Sequence, residues 1–546
     1  MTAKAVKDKS QMSRREIMAV FVGLMMAMFI GSLDQTVVST ALPTIVGELG
    51  GVDHMLWVTS AYMLCSTVMM PLYGRIGDTY GRKYLFCGAL VLFAMGSIIC
   101  GVGGSMIALI IGRAIQGLGG GGTMILSQAI IADIFPPKER GKYMGIMGAA
   151  FGMSAVLGPL LGGWFTDSLG WRWCFWINIP LCVVAFFLAL KCLPHSAHEA
   201  TDVKFDVWGS ITMAIATASL IIAISWGGNL YAWSDPIIIG LFVAFAVFAV
   251  IFVMVESKAE SPIIPLNFFT NRTFALTTAA GLLLMVGMMG VVSYMPTYIQ
   301  ITQGYNATIS GYLMLPMMIG TMITATASGF IAAKAKKIKW MPIVSCLLAA
   351  VACGMLSTLT TSTATWLLCV FLFVLGFGLG LGQQVLVLMV QNEFSISIVG
   401  TATSANNFFR EIGGTIGATV VGSVFTANLT KNLASVSSDL DANSITPSLV
   451  RSLEEPLHSM VTTAYNDALT PIYFALVFAL LAAMVLVCFV REVPLATSNE
   501  QSGKMNADAG GHDVGANASK TQVADMNTDA KDPDDTAKTH RADTDA

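Results

Sequence analysis

Charge is scarce in this chain. Of its 546 residues only 12% are Asp, Glu, Lys or Arg, 55% are hydrophobic, and the mean hydropathy is +0.70. An average soluble domain carries about 25% charged residues. A surface this apolar could not remain in water, so a soluble globular protein is excluded and a polytopic membrane protein is expected. Histidine is missing from every apolar run. His54, His195, His198, His458, His512 and His540 fall in predicted loops or the tail, and no HExxH motif occurs. That argues against metal-dependent hydrolysis inside the membrane, though not against every enzyme chemistry. His195 and His198 read as part of a solvated loop. Paired cysteines are missing too: the ten cysteines lie mostly inside apolar runs (Cys65, Cys87, Cys100, Cys182, Cys353, Cys369), and none form CxxC. They read as small hydrophobes and not as a disulfide or zinc framework. No metal, cofactor or nucleic-acid partner is expected.

Long apolar runs are abundant. About 20 such residues cross a bilayer core. Counting runs between turn and charge clusters gives about fourteen spans, near 17–41, 55–74, 84–103, 106–133, 143–164, 173–192, 208–227, 236–255, 274–299, 308–332, 340–359, 365–391, 398–426 and 471–491. The basic start, "MTAKAVKDKSQMSRRE", followed by an apolar run, superficially resembles a signal peptide. The run is too long for one and lacks a small-residue cleavage site, so it reads as the first span. Lys and Arg alternate in density between loops. Arg75, Arg82, Lys83, Lys138, Arg140, Lys142, Lys191, Lys204, Lys258, Arg272, Lys334, Lys336, Lys337 and Lys339 fall on one side. Only Arg172, Lys431 and Arg451 fall on the other. This asymmetry predicts both termini in the cytoplasm and an even number of spans.

The expected organisation is a basic segment at 1–16, a six-helix bundle at 17–192, a linker with two more spans at 193–272, and a second six-helix bundle at 273–495. That last bundle includes an outer loop at about 427–469. The polar, acidic stretch 496–546 has almost no bulky apolar residues and should be disordered.

Within the first span, "FIGSLDQTVVSTALP" (Phe29–Pro43) carries a lone carboxylate, Asp34. Such a group costs roughly 2.5–3.5 kcal/mol even on lenient insertion scales, so it needs a partner or a role. In the fourth span, "GRAIQGLGGGG" places Arg113 in the membrane with Gln116 one turn away on the same face. The glycines alone read as helix packing, but an intramembrane guanidinium needs an acceptor. Asp34 lies about 22 Å above the cytoplasmic edge of its span and Arg113 about 10 Å below the outer edge of its own. In a core about 30 Å thick these depths nearly coincide. An Asp34–Arg113 contact, direct or through Gln116 or water, is therefore allowed.

Three further stretches stand out. "GRIGDTYGRK" (Gly74–Lys83) reads as a tight turn after the second span, its glycines permitting close approach and its charges able to pair. The spacing is not that of a phosphate-binding loop. "GIMGAAFGMSAVLGPLLGGWF" (Gly145–Phe165) should bend and open a groove for a neighbouring backbone. "SANNFFREIGGTIG" (Ser404–Gly417) brings Asn406, Asn407, Arg410 and Glu411 to mid-depth. Adjacent Arg410 and Glu411 point different ways, so each should face something polar on another helix. Gln383, Gln384, Tyr298 and Gln300 are the candidates, with structural hydrogen bonding as the alternative.

Together these motifs resemble the major facilitator superfamily, and within it the fourteen-span drug:proton antiporters. "LDQTVVSTALP" resembles that group's first-span motif, "GRIGDTYGRK" the cytoplasmic loop motif, and "GRAIQGLGG" the fourth-span motif. The fifth-span antiporter pattern matches at Gly145, Gly158, Pro159, Gly162 and Gly163, with Ser154 where glycine is usual. "WRWCFWINIP" and "YMPTYIQITQGY" are also similar to the group, and the resemblance spans about 15–495.

The resemblance implies an all-α major facilitator fold of two six-helix bundles with two inserted helices. It also implies alternating access around a central cavity. Asp34, Arg113 and Glu411 would couple protons. Gln116, Tyr298, Gln300, Gln383, Gln384, Asn406, Asn407 and Arg410 would line the cavity, and Gly74, Asp78, Gly81 and Arg82 would latch one conformation. Burial favours a neutral carboxyl and a nearby cation a charged one, so moving a carboxylate relative to a guanidinium makes it bind and release a proton. The implied function is a proton-coupled exporter in the plasma membrane, acting as a monomer on amphipathic or cationic drugs. A lipid or metabolite as cargo is the alternative, and a membrane-embedded enzyme is the reading from another class. Thirty-three methionines could line an adaptable cavity, although core and lipid-facing packing is their ordinary use.

Overall fold

The structure is a computed structural model. It describes residues 13–50, 54–194, 205–228, 230–335, 337–434, 445–492 and 494–495. The basic start of the chain, His195, His198 and the acidic tail lie outside these residues. The described chain is helical, and its one β-type feature is an isolated bridge between Gly227 and Tyr231.

The first group of helices is α1 (Arg14–Leu49), α2 (Met55–Tyr80), α3 (Arg82–Val102), α4 (Met106–Ile134), α5 (Pro137–Trp164), α6 (Trp173–Trp176) and α7 (Asn178–Cys192). An inserted pair follows, α8 (Val207–Trp226) and α9 (Pro236–Glu256). The second group is α10 (Arg272–Val292), α11 (Met295–Thr302), α12 (Ala307–Leu313), α13 (Leu315–Lys334), α14 (Trp340–Leu356), α15 (Thr365–Glu393), α16 (Val399–Ala434), α17 (Pro447–Ser452) and α18 (Leu457–Cys488). Among the described residues, twelve helical stretches are long and apolar enough to cross a membrane. The expected second and eleventh spans are occupied by α2, with 26 residues, and α14, with 17.

Local sequence explains the helix ends. Ser13 and Glu16 form a reciprocal capping box that starts α1. Pro137 opens α5 and Pro236 opens α9, where a missing N–H costs nothing. In the first group α1 packs on α5, α7 and α4, while α4 packs on α2 and α3. The glycine run of α4 permits this: a Cβ on Gly119 would meet the Ala89 carbonyl of α3 at 2.5 Å. In the second group α10 packs on α16 and α18, and α15 on α13 and α14. The groups meet through α5 with α13 and α2 with α16, and α8 touches both α2 and α16. Only 6% of the apolar window of α9 is buried, so its surface faces lipid.

Two expectations are corrected. The tight turn expected over all of "GRIGDTYGRK" is confined to one residue: α2 continues through Tyr80 and α3 begins at Arg82, leaving Gly81 as the whole turn at φ +92°. Only glycine adopts that backbone readily. Among its described residues, the outer loop expected at 427–469 is largely helical. Its Leu429, Leu433, Val450, Val461 and Tyr465 enter the core of the second group. Asn428 and Asn432 of α16 donate to the Ala468 and Ala464 carbonyls of α18, at 3.2 and 3.1 Å. Polar residues on the helix surface hid this apolar stripe.

Candidate functional site

Asp34 sits at the junction of five helices. The Arg113 guanidinium pairs with Asp34 Oδ2. Gln116 Nε2 donates to Oδ1 at 2.7 Å and Asn178 Nδ2 donates to the same oxygen at 2.8 Å. Arg113 also donates to Gln116 Oε1 at 2.8 Å and to the Val58 carbonyl of α2 at 3.2 Å. Gln116 and Asn178 both reach Ser97 Oγ of α3, at 2.8 and 3.3 Å. The guanidinium lies 4.3 Å from the centre of the Tyr62 ring. Asp34 and Arg113 are each 1% exposed. Helical spacing puts Arg113 and Gln116 on one face of α4, turned toward α1. A buried ion pair is tolerated only when further donors satisfy its remaining lone pairs, and this one has them. Three donors hold the carboxylate in its ionised form, two on Oδ1 and the guanidinium on Oδ2. A proton arriving on it competes with those donors for the same oxygens.

Sequence reasoning brought Asp34, Arg113 and Gln116 together. It missed Ser97, Tyr62 and Asn178. The only available signal for Asn178 was its place as a lone amide in "WINIP".

A second cluster joins the two helix groups. Asp78 pairs with Arg82 and accepts from the Thr401 N–H at 2.6 Å, the Thr401 hydroxyl at 2.8 Å and the Gly400 N–H at 3.2 Å. Arg82 also pairs with Asp133 and donates to the Ala129 carbonyl at 2.8 Å. Gly74 allows the contact, since a Cβ there would overlap Ser404 of α16. Nearby, Arg140 donates to the Gln391 carbonyl at 3.2 Å and Asn407 to Gln128 Oε1 at 2.9 Å. All these cross-group bonds gather at the end where α2, α4 and α15 finish and α5 and α16 begin.

The fifth-span pattern divides. A Cβ on Gly145 would lie 2.7 Å from the Ala325 carbonyl of α13, across the two groups. Gly158 and Gly162 instead pack on Thr36 and Val37 of α1, within one group, and nothing lies within 4 Å of a Cβ on Gly163. Pro159 stands inside α5. Ser154 shares a 2.5 Å hydrogen bond with Ser32, and its carbonyl accepts from Thr36 at 3.1 Å. The first part of the helix therefore packs across the two groups, and the Gly-Pro part packs on α1.

The expected partners of Arg410 and Glu411 bond elsewhere. Arg410 Nη1 donates to Asn407 Oδ1 at 3.3 Å on its own helix. Gln383 faces the sulfurs of Met288 and Met285, at 3.0 and 3.7 Å. Tyr298 is fully buried and donates to Asn466 at 2.8 Å, while Gln300 bonds the Pro296 carbonyl at 3.2 Å. Asn406 donates to Thr278 Oγ1 at 3.0 Å. Thioether and backbone acceptors, invisible in a single sequence, took these amides. Gln384 and Glu411 are half-buried, and Gln384 Oε1 has no hydrogen-bond partner.

Comparison with known proteins agrees with this geometry. The chain is 37% identical over 410 residues to the Multidrug transporter protein MdtP of Bacillus subtilis, covering 75% of each chain. It is 37% identical over 397 residues to Multidrug resistance protein 3 of the same organism, covering 73% of this chain and 77% of that one. Among solved structures, the fold is shared with the human organic anion transporter MFSD10 at a TM-score of 0.59 and 16% identity, covering 86% of this chain and 100% of the other. It is shared with the proton:xylose symporter XylE at a TM-score of 0.57 and 15% identity, covering 89% and 98%. Residues 24–418 match the Major Facilitator Superfamily. With that match, the paired helix groups and the buried Asp34–Arg113 centre, the chain belongs to the major facilitator superfamily and is a multi-pass membrane transporter of small molecules, not an enzyme.

Proposed function

We propose that the protein is a proton-coupled exporter, an antiporter that expels amphipathic or cationic drugs across the cell membrane with both termini in the cytoplasm. The observation that carries this reading is the buried Asp34–Arg113 pair between α1 and α4. An ionisable group inside a membrane protein marks a functional site, and moving this carboxylate relative to its guanidinium changes its affinity for a proton. The names of the two Bacillus subtilis relatives favour drugs as cargo.

In the orientation favoured by Lys and Arg placement, the end fastened by Asp78 and Arg140 is cytoplasmic. The helix groups are then closed toward the cytoplasm, and Asp34 would take its proton from outside. Protonation displaces Arg113 or an amide donor, loosens α1 from α4, and lets the halves rock so that the Asp78–Thr401 contact opens. Gly74, Asp78, Gly81 and Arg82 act as the latch. Gln116 belongs to the proton centre and not to the cavity, while Gln384, Arg410 and Glu411 are the cavity candidates. The halves move as units of about 17–192 and 273–495, as a monomer.

The test is proton movement in liposomes containing the purified protein, with an internal pH dye and a panel of candidate drugs. Drug-dependent proton flux in the parent that vanishes in Asp34→Asn supports antiport through Asp34. Unchanged flux in Asp34→Asn moves the coupling role to Glu411. No flux with any drug, in protein that melts normally, removes drugs as cargo.

A further inference from the structure

The root of the inserted helix pair holds two carboxyl groups that the transport mechanism does not use. Asp206 caps α8, its Oδ1 accepting from the Gly209 N–H at 2.8 Å. Glu256, the last residue of α9, is 3% exposed, and its Oε1 accepts from the Ile264 N–H at 2.5 Å. The second oxygen of each, Asp206 Oδ2 and Glu256 Oε2, is buried with no hydrogen-bond donor. These two oxygens are neighbours in one buried space, both bordering Gly209. Gly209 makes room for the meeting: a Cβ there would overlap Asp206 Oδ2 and lie 2.8 Å from Glu256 Oε2.

Two ionised carboxylates are acceptors only, so they cannot bond one another. Like charges this close, out of water, do not both ionise. One proton on either oxygen removes both defects at once, satisfying the two orphaned atoms with a single hydrogen bond. We propose that Asp206 and Glu256 hold one proton between them, forming a proton-binding site at the root of the α8–α9 pair that is separate from Asp34.

The surroundings support a proton over a salt bridge. From α2, Arg75 feels the charge of Glu256 but donates to Ser261 Oγ, at 3.1 Å from Nε and 2.6 Å from Nη2. Asp78, also on α2, is taken by Arg82 and Thr401. In the turn after α9, Lys258 and Glu260 are exposed. The neighbouring faces of α10 and α16 present Phe274 and Phe408. With the proton in place, Arg75 stays on Ser261. Its release leaves two negative charges beside Arg75 and draws the guanidinium away, so the proton fixes where the end of α2 is anchored to the inserted pair.

The test uses the full chain in lipid. Infrared difference spectra across a pH titration should show a protonated-carboxyl band that disappears as pH rises. That band should be lost in Glu256→Gln and in Asp206→Asn, and kept in Asp34→Asn. The Glu256→Gln amide can donate to Asp206 as the proton does, so this variant should fold. A native state that holds a proton the unfolded chain releases loses stability as pH rises. The melting temperature of the parent should therefore fall with pH more steeply than that of Glu256→Gln. An unchanged band and an unchanged melting profile in both variants overturn the proposal. So does a melting shift on adding Ca²⁺ or Mg²⁺ that Glu256→Gln abolishes, which would assign the oxygens to a bridging cation.

Discussion

Asp78, near the end of α2, caps the start of α16 from the other helix group, taking the Thr401 N–H at 2.6 Å and the Thr401 hydroxyl at 2.8 Å. The first N–H groups of a helix have no partner within it, and a carboxylate there also meets the positive end of the helix dipole. The two groups are thus joined by a cap that can form only when they are closed at this end. Arg82 and Asp133 hold the carboxylate in place from behind.

Weakening this cap should open that end. Thr401→Val removes only the hydroxyl's hydrogen bond to the Asp78 carboxylate, about 1.5 kcal/mol for a charged acceptor, and should shift the closed-to-open ratio roughly tenfold. Asp78→Asn removes charge-assisted bonds worth about 1.5–3 kcal/mol and should shift it roughly 10–100-fold. Spin labels on Tyr80 and Ser397, both exposed, read the distance across the contact. Identical distance distributions in parent and Asp78→Asn would mean that the cap does not hold the groups together.

The Asp34 centre calls for a double-variant cycle. Arg113→Gln leaves Asp34 buried without its cation, and breaking a buried pair from one side costs about 3–5 kcal/mol. Asp34→Asn combined with Arg113→Gln replaces the pair by neutral amides, which Gln116 and Asn178 can still meet. The double variant should recover most of the lost thermal stability. The double variant should not restore drug-driven proton flux, because the changing charge of Asp34 is gone. Recovered flux in the double variant would assign proton coupling elsewhere.

Depth along a helix was readable from the chain, and it was enough to bring Asp34 to Arg113. Which helices adjoin was not. Ser97, Tyr62 and Asn178 are ordinary residues of their own spans, and only the packing of α3, α2 and α7 around α4 turns them toward the carboxylate. The same gap misdirected the reading of Arg410, for which Tyr298, Gln300 and Gln383 looked equally available. Each is satisfied by a neighbour that carries no polar signature, a thioether or a carbonyl, or by Asn466 of distant α18. The glycines and charges of "GRIGDTYGRK" suggested a turn because an exposed helix would not favour them. Packed against α16 and α4, with Asp78 and Arg82 paired and Arg75 and Lys83 hydrogen-bonded, the same residues are stable as helix.

At the opposite end of the bundle, Glu48 of α1 accepts from the indole N–H of Trp171 at 2.7 Å and from exposed Arg172 at 2.7 Å. Trp171 is 1% exposed, so its N–H has no alternative partner in water. Glu48→Gln keeps an acceptor and should melt close to the parent. Glu48→Leu strands the buried indole and should melt lower than Arg172→Ala, whose exposed ion pair contributes little. Added salt should erase the Arg172→Ala difference and leave that of Glu48→Leu. The reverse order would make the exposed ion pair the main tie.

Two glycines of α5 should fail in different ways when each is replaced by valine. A Cβ on Gly145 meets the Ala325 carbonyl and Gly329 Cα of α13, at 2.7 and 3.0 Å, so the added bulk pushes the two groups apart at the end where they are closed. Alternating access already requires that contact to separate, so Gly145→Val should fold, with the label distance between Tyr80 and Ser397 moved toward the open value. Gly158 lies against Thr36 of α1, inside one group, where no step of rocking needs a gap. Overpacking of that kind costs about 1–3 kcal/mol or more. Gly158→Val should therefore lower expression and melting temperature, while any folded fraction keeps the parent distance. If both variants merely melted lower, with distances unchanged, α5 would be a packing element along its whole length, and the opening of the halves would have to turn on α2 and α16 alone.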